Sequence, residues 1–358
     1  MKIKDLCSYA PKSRIKAGEA VDNAKYLFFT SSADENKRYT DFQFDKEAII
    51  MGTGGNATLH YHNGKFSVST DCLVLLPDPQ IKCKYLYYFF KSHMNVLEAG
   101  FKGAGLKHTN KKYIEDIEIN KVPDLITQDR IISRLDKISE NIEKLNRELG
   151  LFDSLVKARF VEMFGDPLIN TKKWKECTIG ELATDVRYGT SKPSVDGGKY
   201  PYLRMNNLTN NGELDLTDLK YIDVSDDEKE KCVVRKGDIL FNRTNSIDLV
   251  GKTTLFNLDE EMIIAGYIIR VRLNSQILPE ILAQYMNSSA LKKLLRKMAK
   301  GAVNQANINA QELQSIKVYV PDLELQNRFS NFVQQVDKSK FLCFHQKKSE
   351  KPFKSLGN

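Results

Sequence analysis

The phrase Val-Pro-Asp-Leu-x-x-Gln-x-Arg occurs twice in this chain, at 122–130 and at 320–328. Val122, Pro123, Asp124, Leu125, Gln128 and Arg130 return as Val320, Pro321, Asp322, Leu323, Gln326 and Arg328, each 198 residues later. Alone, this could be a chance recurrence of one helix-start signal. Colinear matches upstream argue for a duplication instead. Ile3–Leu6 faces Ile179–Leu182 at an offset of 176, and Phe44–Ile50 resembles Val234–Leu240 at 190. Tyr85–Ser92 lines up with Glu280–Asn287 at 195, and Ile114–Ile119 meets Leu313–Val318 at 199. The order is kept and the offset mostly grows, as insertions in the loops of a second copy produce. A period near 190 residues is far outside the roughly 20–50 residues of solenoid and propeller repeats. The repeating unit is therefore a domain with its connector.

A chain of 358 residues fits two or three domains. Its 41% hydrophobic and 28% charged residues are ordinary for a soluble globular protein. The densest apolar run, Tyr85–Phe90, is far too short for a membrane span. The N-terminus lacks the apolar segment of a signal peptide. The six cysteines are scattered, without a CxxC pair, which argues against a zinc site or a disulfide framework. These features lead us to expect a cytoplasmic protein with no membrane association. A net charge of +8 permits nucleic-acid binding without requiring it.

Before each repeated phrase the chain is mostly strand and turn. Residues 65–77 and 262–273 are β-rich, and 52–56, 191–198 and 208–215 read as turns. Each unit also carries an amphipathic helix late on, expected at 84–98 and 279–300. After the first phrase, Ile131, Leu135, Ile138, Ile142, Leu145, Leu149, Phe152 and Val156 recur in alternating steps of four and three, a heptad seam. The helix should end at Phe164, before Gly165-Asp166-Pro167. A rod of this length needs another helix to cover its seam. Phe329, Val333 and Val336 offer the same rhythm after the second phrase, and then the seam weakens at Lys340 and Cys343. Two such helices can pair antiparallel if the units sit at opposite ends of the rod.

This order resembles the specificity subunit of type I restriction–modification systems. The residues carrying the likeness are Gln128 and Arg130 after the phrase, Met163–Pro167, the stretch 188–208 with its Gly-x-Ser/Thr-x-Pro-like opening, and 301–309 before the second helix. The likeness covers nearly the whole chain. It departs in two places: the family's Pro-Pro-Leu is Pro-Asp-Leu in both copies, and the C-terminal helix is short.

The resemblance implies an α+β fold. Two similar α/β target-recognition domains would be separated by two long antiparallel coiled-coil helices with pseudo-twofold symmetry. The expected boundaries are 1–125 and 165–322 for the recognition domains, 126–164 and 323–348 for the spacer helices, and 349–358 for a disordered tail. It further implies that each domain reads half of a split sequence in double-stranded DNA. Two methyltransferase subunits, and restriction subunits with them, would be the protein partners. The chain itself would be non-catalytic and hold no cofactor, with AdoMet, ATP and Mg on those partners.

A sequence reader needs cations for phosphates and amides or guanidiniums for base edges. Lys292, Lys293, Arg296, Lys297 and Lys300 form one stripe if the helix runs through them. That stripe could follow a phosphate backbone or be a solvated helix face. It leads into Asn304, Gln305, Asn307 and Asn309, amides that can read adenine or serve turns and caps. The first copy offers Lys102, Lys107, His108, Asn110, Lys111 and Lys112 at the corresponding place. Arg204, Asn206 and Asn207, then Asn242, Arg243 and Asn245, are expected at strand ends of the second copy, against Thr30–Ser32, Thr53 and Asn56 in the first.

Several signals fail on inspection. Gly251–Thr254 resembles a Walker A tail, but Ser246 stands where its first glycine is required. No Pro-Pro dipeptide exists, so the catalytic motif of amino-methyltransferases is absent. His60 and His62 share a strand face without further ligands. The competing reading is a coiled-coil interaction scaffold whose two heads bind protein partners, with no DNA role.

Overall fold

Ile49 and Met51 pack on one face of a sheet, Ala48 and Ile50 on the other, and all four are buried. A strand covered on both faces reads as an unbroken apolar run, as 48–51 does. The computed structural model describes residues 1–302 and 305–349. This strand lies inside the first of two units, Met1–Asn146 with the segment from Phe344 onward; the second is Arg147–Cys343.

The first unit carries strands β1 (Cys7–Tyr9), β2 (Tyr26–Phe29), β3 (Arg38–Tyr39), β4 (Phe44–Gly52), β5 (Leu59–Val68) and β6 (Cys72–Pro77). They form one sheet in the order β1-β6-β4-β5-β2-β3. Helices α1 (Cys83–Ser92), α2 (Met94–Ala99) and α3 (Lys111–Glu115) cover the Ile49–Met51 face through Leu86, Phe90, Leu97 and Ile114. The long helix α4 (Leu125–Phe164) follows.

The second unit repeats this plan. Its elements are β7 (Lys175–Thr178), α5 (Ile179–Leu182), β8 (Ala183–Tyr188), β9 (Tyr200–Leu203), β10 (Lys220–Ile222), α6 (Asp226–Cys232), β11 (Val233–Val234), β12 (Ile239–Asn242) and β13 (Thr244–Asn245). They continue as β14 (Thr253–Leu255), β15 (Met262–Ile264), β16 (Ile268–Leu273), α7 (Pro279–Asn287), α8 (Ser289–Met298), β17 (Lys300–Ala302), β18 (Gln305–Asn307), α9 (Ala310–Gln314), β19 (Lys317–Val320) and α10 (Leu323–Ser349).

Register makes the equivalence explicit. β4 pairs with β6 and β5, as β12 pairs with β16 and β14. β2 runs parallel to the end of β5, as β9 runs parallel to β15. The single long β5 is thus matched by β14 and β15 together, and β4 by β11 and β12. One six-stranded sheet in the first unit becomes two four-stranded sheets in the second. The added residues between Leu203 and Val233, where the first unit has only Phe29 to Phe44, account for the jump in offset.

Two expected helices are broken. The segment 84–98 is α1 and α2, interrupted at His93; 279–300 is α7 and α8, interrupted at Ser288 and finished at Met298. Ser288 has extended backbone, φ −62° and ψ 146°, and its hydroxyl accepts from the Leu291 amide. An N-cap of this kind starts a new helix rather than continuing the old one. Lys300 consequently lies on a strand, off the helical stripe.

α4 has 40 residues, about 60 Å of helix. Within the second unit its C-terminal part lies antiparallel to α10. Phe160 and Phe164 pack on Phe329 with ring centroids 5.5 and 5.4 Å apart. Further along, Asp153 pairs with Lys340, and Glu148 Oε2 accepts from Cys343 Sγ at 3.9 Å. Val156, Phe329 and Val336 are buried there, with Phe152 and Val333 packed against them and Leu149 half-buried. Lys340, where the heptad seam weakened, also reaches Glu213 Oε1 at 3.6 Å, so a charged side chain at a seam position is held by carboxylates. In the first unit Ile131 packs on that unit's core, Leu135 and Leu145 are buried, and Ile138 and Ile142 are half-buried. Among the described residues no helix is long and apolar enough to cross a membrane. The expected tail lies outside the described residues from position 350 on.

The repeated phrase has a mechanical explanation. Gln128 is fully buried. Its Oε1 accepts from the Lys82 amide at 2.8 Å, and its Nε2 donates to the Gln80 and Pro123 carbonyls at 3.2 and 2.8 Å. Gln326, equally buried, accepts from the Leu278 amide at 2.8 Å and donates to the Gln276 and Pro321 carbonyls at 3.0 and 2.7 Å. Each glutamine therefore fastens the start of a long helix to the loop that starts α1 or α7. A side chain with both an acceptor and two donors is needed to satisfy all three backbone groups.

Candidate nucleic-acid interface

At the edge of each unit the backbone builds the same three-segment ribbon. In the first, His108 bridges antiparallel to both Gly54 and Lys102. The Gly55 amide donates to Lys107 O at 2.8 Å and the Thr109 amide to Thr53 O at 3.0 Å. In the second, Asn307 on β18 pairs with Thr244 on β13 and with Lys300 on β17. Lys102 corresponds to Lys300, His108 to Asn307 and Gly54 to Thr244. The chain reverses after the lysine through Gly103 in one unit and Gly301 in the other, with φ of 147° and 118°. A Cβ at either would lie 2.8 Å from Leu106 O or 2.4 Å from Gln305 O, so only glycine fits without a backbone shift.

The side chains differ where the backbones agree. Lys102, Lys107 and His108 are exposed in the first unit. Asn110 is exposed too, but its carboxamide oxygen accepts from the Tyr113 amide at 2.9 Å and caps α3. Lys111 lies 4.3 Å from the Tyr9 ring and 3.4 Å from Glu115. In the second unit Lys300 meets Glu312 at 2.5 Å, and its hydrogen bond, then that from the Asn309 amide, hold that carboxyl below its ordinary range. Gln305 is exposed and Asn307 half-buried. The Arg243 guanidinium sits 4.9 Å from the Tyr188 ring centroid. Arg243 Nε and Asn307 Oδ1 are buried without a hydrogen-bond partner among the described residues, as is Thr109 Oγ1 on the matching strand of the first unit. Unpaired buried polar atoms are costly.

α8 adjoins this ribbon through the loop after β13. Lys293, Arg296 and Lys297 are exposed, and Arg296 lies 3.8 Å from Asp248. Lys292 leaves the stripe: its ammonium donates to Gly251 O at 2.6 Å, and burial, then Lys252 and Arg296, push it down to about 8. Asn242 is a correction as a base reader. It is fully buried, with its amide nitrogen on the Thr244 and Tyr267 carbonyls and its oxygen taken by Asn245, because a strand-end amide inside a sheet must satisfy the backbone around it. Arg204 is held by Asp218 at 2.7 Å, at the end of β9. Asn206 is exposed in the adjoining turn, and Asn207 is buried. No described contact joins these to the ribbon. Asn304 lies outside the described residues.

Sequence reasoning missed Gly54 and Thr244 as ribbon positions. A signal was available: Lys102-Gly103-Ala104 recurs as Lys300-Gly301-Ala302, 198 residues on, the offset of the helix phrase itself. Gly189, in the motif at 188–208, lets the chain pass the backbone of Ile264 and Ala265, and Tyr202 Oη closes the turn by donating to Thr190 O and Lys192 O at 3.2 and 3.0 Å. Among the described residues no group of His, Cys, Asp or Glu is arranged to hold a metal ion.

Comparison with known proteins fits this architecture. Residues 1–150 and 171–350 match the family described as Type I restriction modification DNA specificity domain. The chain is similar to the type I restriction enzyme EcoKI specificity subunit of Escherichia coli K12, 22% identical over 347 residues, covering 92% of this chain and 71% of the relative. It is also similar to the MjaVIII specificity subunit of Methanocaldococcus jannaschii, 26% identical over 311 residues, covering 82% and 72%. In fold it resembles the crystal structure of a type I restriction–modification S subunit from M. genitalium, with a TM-score of 0.57 and 17% identity over 98% of this chain and 92% of that one. With two matched domains spanning most of its length, the chain belongs to the type I restriction–modification DNA specificity family, and its role is in DNA sequence specificity.

Proposed function

We propose that this chain reads a bipartite DNA target, one half-site per unit, and docks two methyltransferase subunits on its long helices. The recognition domains would be 1–125 and 165–322, and the spacer helices 126–164 and 323–348. The observation carrying this reading is the duplicated ribbon: one backbone plan bearing Gly54, Lys102 and His108 in one copy and Thr244, Lys300 and Asn307 in the other. A shared frame with different polar side chains suits two different half-sites. Methyltransferase docking is supported by exposed apolar side chains on the helices, Leu151 and Leu155 on α4 and Phe341 and Leu342 on α10, since contiguous exposed apolar surface marks interaction sites. The chemistry, with AdoMet on the methyltransferase and ATP and Mg on a restriction subunit, would belong to those partners.

The test is reconstitution with a type I methyltransferase subunit from the same organism, followed by mapping of modified adenines. Alone the chain should methylate nothing; together the two should modify a split sequence. Exchange of residues 188–309 for the corresponding segment of a different specificity subunit should alter one half-site and leave the other. Alteration of both halves would overturn modular reading. Absence of duplex binding at low salt with the methyltransferase present would favour the scaffold reading instead.

A further inference from the structure

Six residues of the repeated phrase are identical in both copies, and four have the same work inside each unit. Val122 and Val320 pack against the two cores. Pro123 and Pro321 give carbonyls to the buried glutamines. Asp124 and Asp322 give theirs to the glutamine amides, at 2.9 and 3.0 Å. Gln128 and Gln326 fasten the helix. The remaining two, leucine and arginine, face solvent. Leu125 and Leu323 are 43% and 49% exposed. Arg130 and Arg328 are exposed, and neither has a hydrogen bond or ion pair to another described residue.

The surroundings of the two arginines also agree. Leu125, Asp129, Arg130 and Ser133 stand at the same relative positions as Leu323, Asn327, Arg328 and Asn331, a spacing that lays them along one strip over two turns of helix. Short polar residues beside each guanidinium leave it open to approach. A residue kept in both copies of a diverged duplication, with no use inside either, answers to something outside the chain that meets both copies alike.

We infer that each Leu–Arg strip is a docking point for one copy of the same protein partner, the methyltransferase subunit, which presents a carboxylate to the guanidinium and an apolar contact to the leucine. This rests on the docking proposed above and names the residues for it. An arginine fork suits a carboxylate or a phosphate alike. The neighbours decide for protein: an exposed leucine stands by each arginine, Leu125 in one copy and Leu323 in the other, and an apolar side chain gains nothing from a phosphate backbone but can be covered by an apolar side chain of a protein.

The experiment is native mass spectrometry of the full chain titrated with its methyltransferase subunit, for wild type, Arg130→Glu, Arg328→Glu and the double variant. Wild type should carry two copies. Each single variant should carry one at concentrations that saturate wild type, with a loss of at least tenfold at the altered site, and the double variant none. Arg→Lys at either place should recover part of the binding. Duplex binding and the circular-dichroism melt of the chain alone should be unchanged, since both side chains are exposed. Two copies on every variant at unchanged affinity would overturn the inference while leaving methyltransferase docking intact. Loss of duplex binding with two copies retained would mean a phosphate contact and would overturn it as well. A wild-type chain that takes up no methyltransferase would sink the docking reading and this inference together.

Discussion

The helix starts and the ribbon tips of the two units diverged to opposite degrees. At the starts, Gln128 and Gln326 make the same three hydrogen bonds to equivalent backbone groups. At the tips, the backbone pairing is equivalent, yet histidine faces asparagine and glycine faces threonine. A side chain that satisfies three buried backbone groups cannot vary without orphaning them. A side chain projecting from a paired ribbon can vary freely, because the pairing uses only the backbone.

The comparison breaks most directly at the glutamines. Gln326→Ala should destabilise the second unit by about 2–4 kcal/mol, since it leaves a buried amide and carbonyls unpaired. Hydrogen exchange should then quicken at the Leu278 amide and leave the Lys82 amide protected; Gln128→Ala should do the reverse. Equal loosening of both amides by either variant would contradict the independence of the two anchors.

At the tips the expected effect is on recognition rather than stability. Asn307→Ala should relax discrimination at one base position of one half-site by about 1–3 kcal/mol, read by competition binding with single-base variants. Lys300→Ala should weaken binding to every sequence alike and reduce the slope of log K against log salt by about one. His108→Ala should act on the other half-site only.

A smaller effect separates the second unit from the first. Lys340, with Asp153 and Glu213, has no counterpart at the matching position of α4, Ile142. Lys340→Met should cost about 1 kcal/mol or less, read as a urea midpoint shift that shrinks when it is made in an Asp153→Asn background.

The smallest effect is a pH dependence. Lys292 is pushed down to about 8, by burial first and then by Lys252 and Arg296, from an ordinary 10.5. Between those values the unfolded chain binds more protons than the folded one, so this group makes stability rise with pH. Urea midpoints at pH 7.5 and 9.5 should differ less in Lys292→Met than in wild type; an equal rise would clear Lys292 of the effect.

Much of the fold was legible because the duplication wrote it twice. The growing offset located insertions that the structure assigns to the segment from Leu203 to Val233. The heptad rhythm gave α4, and the Gly-Asp-Pro stop gave its end. The break at Ser288 was also available, since serine before Ala290-Leu291 is an N-cap signal, whereas His93 offers no such cue. Illegible were the fates of individual polar groups. Asn242 and Arg243 are neighbours of similar promise in sequence, yet one is enclosed by backbone and the other is laid along Tyr188. Lys292 and Lys293 differ by one helical step, which is enough to turn one ammonium onto Gly251 O and leave its neighbour in water.

By itself the sequence determined what is local or repeated: two domains of one plan, the start of each long helix, and its apolar seam. Periodicity and caps act over a few residues, so they can be read in one dimension. Tertiary structure alone decided which distant residues meet. Gly54, Lys102 and His108 come together only because the sheet and the α1–α2 pair return the chain to one edge, and Thr244, Lys300 and Asn307 do so by the same route. Strand pairing across fifty or more residues depends on how the whole core closes, and no short window of sequence records that.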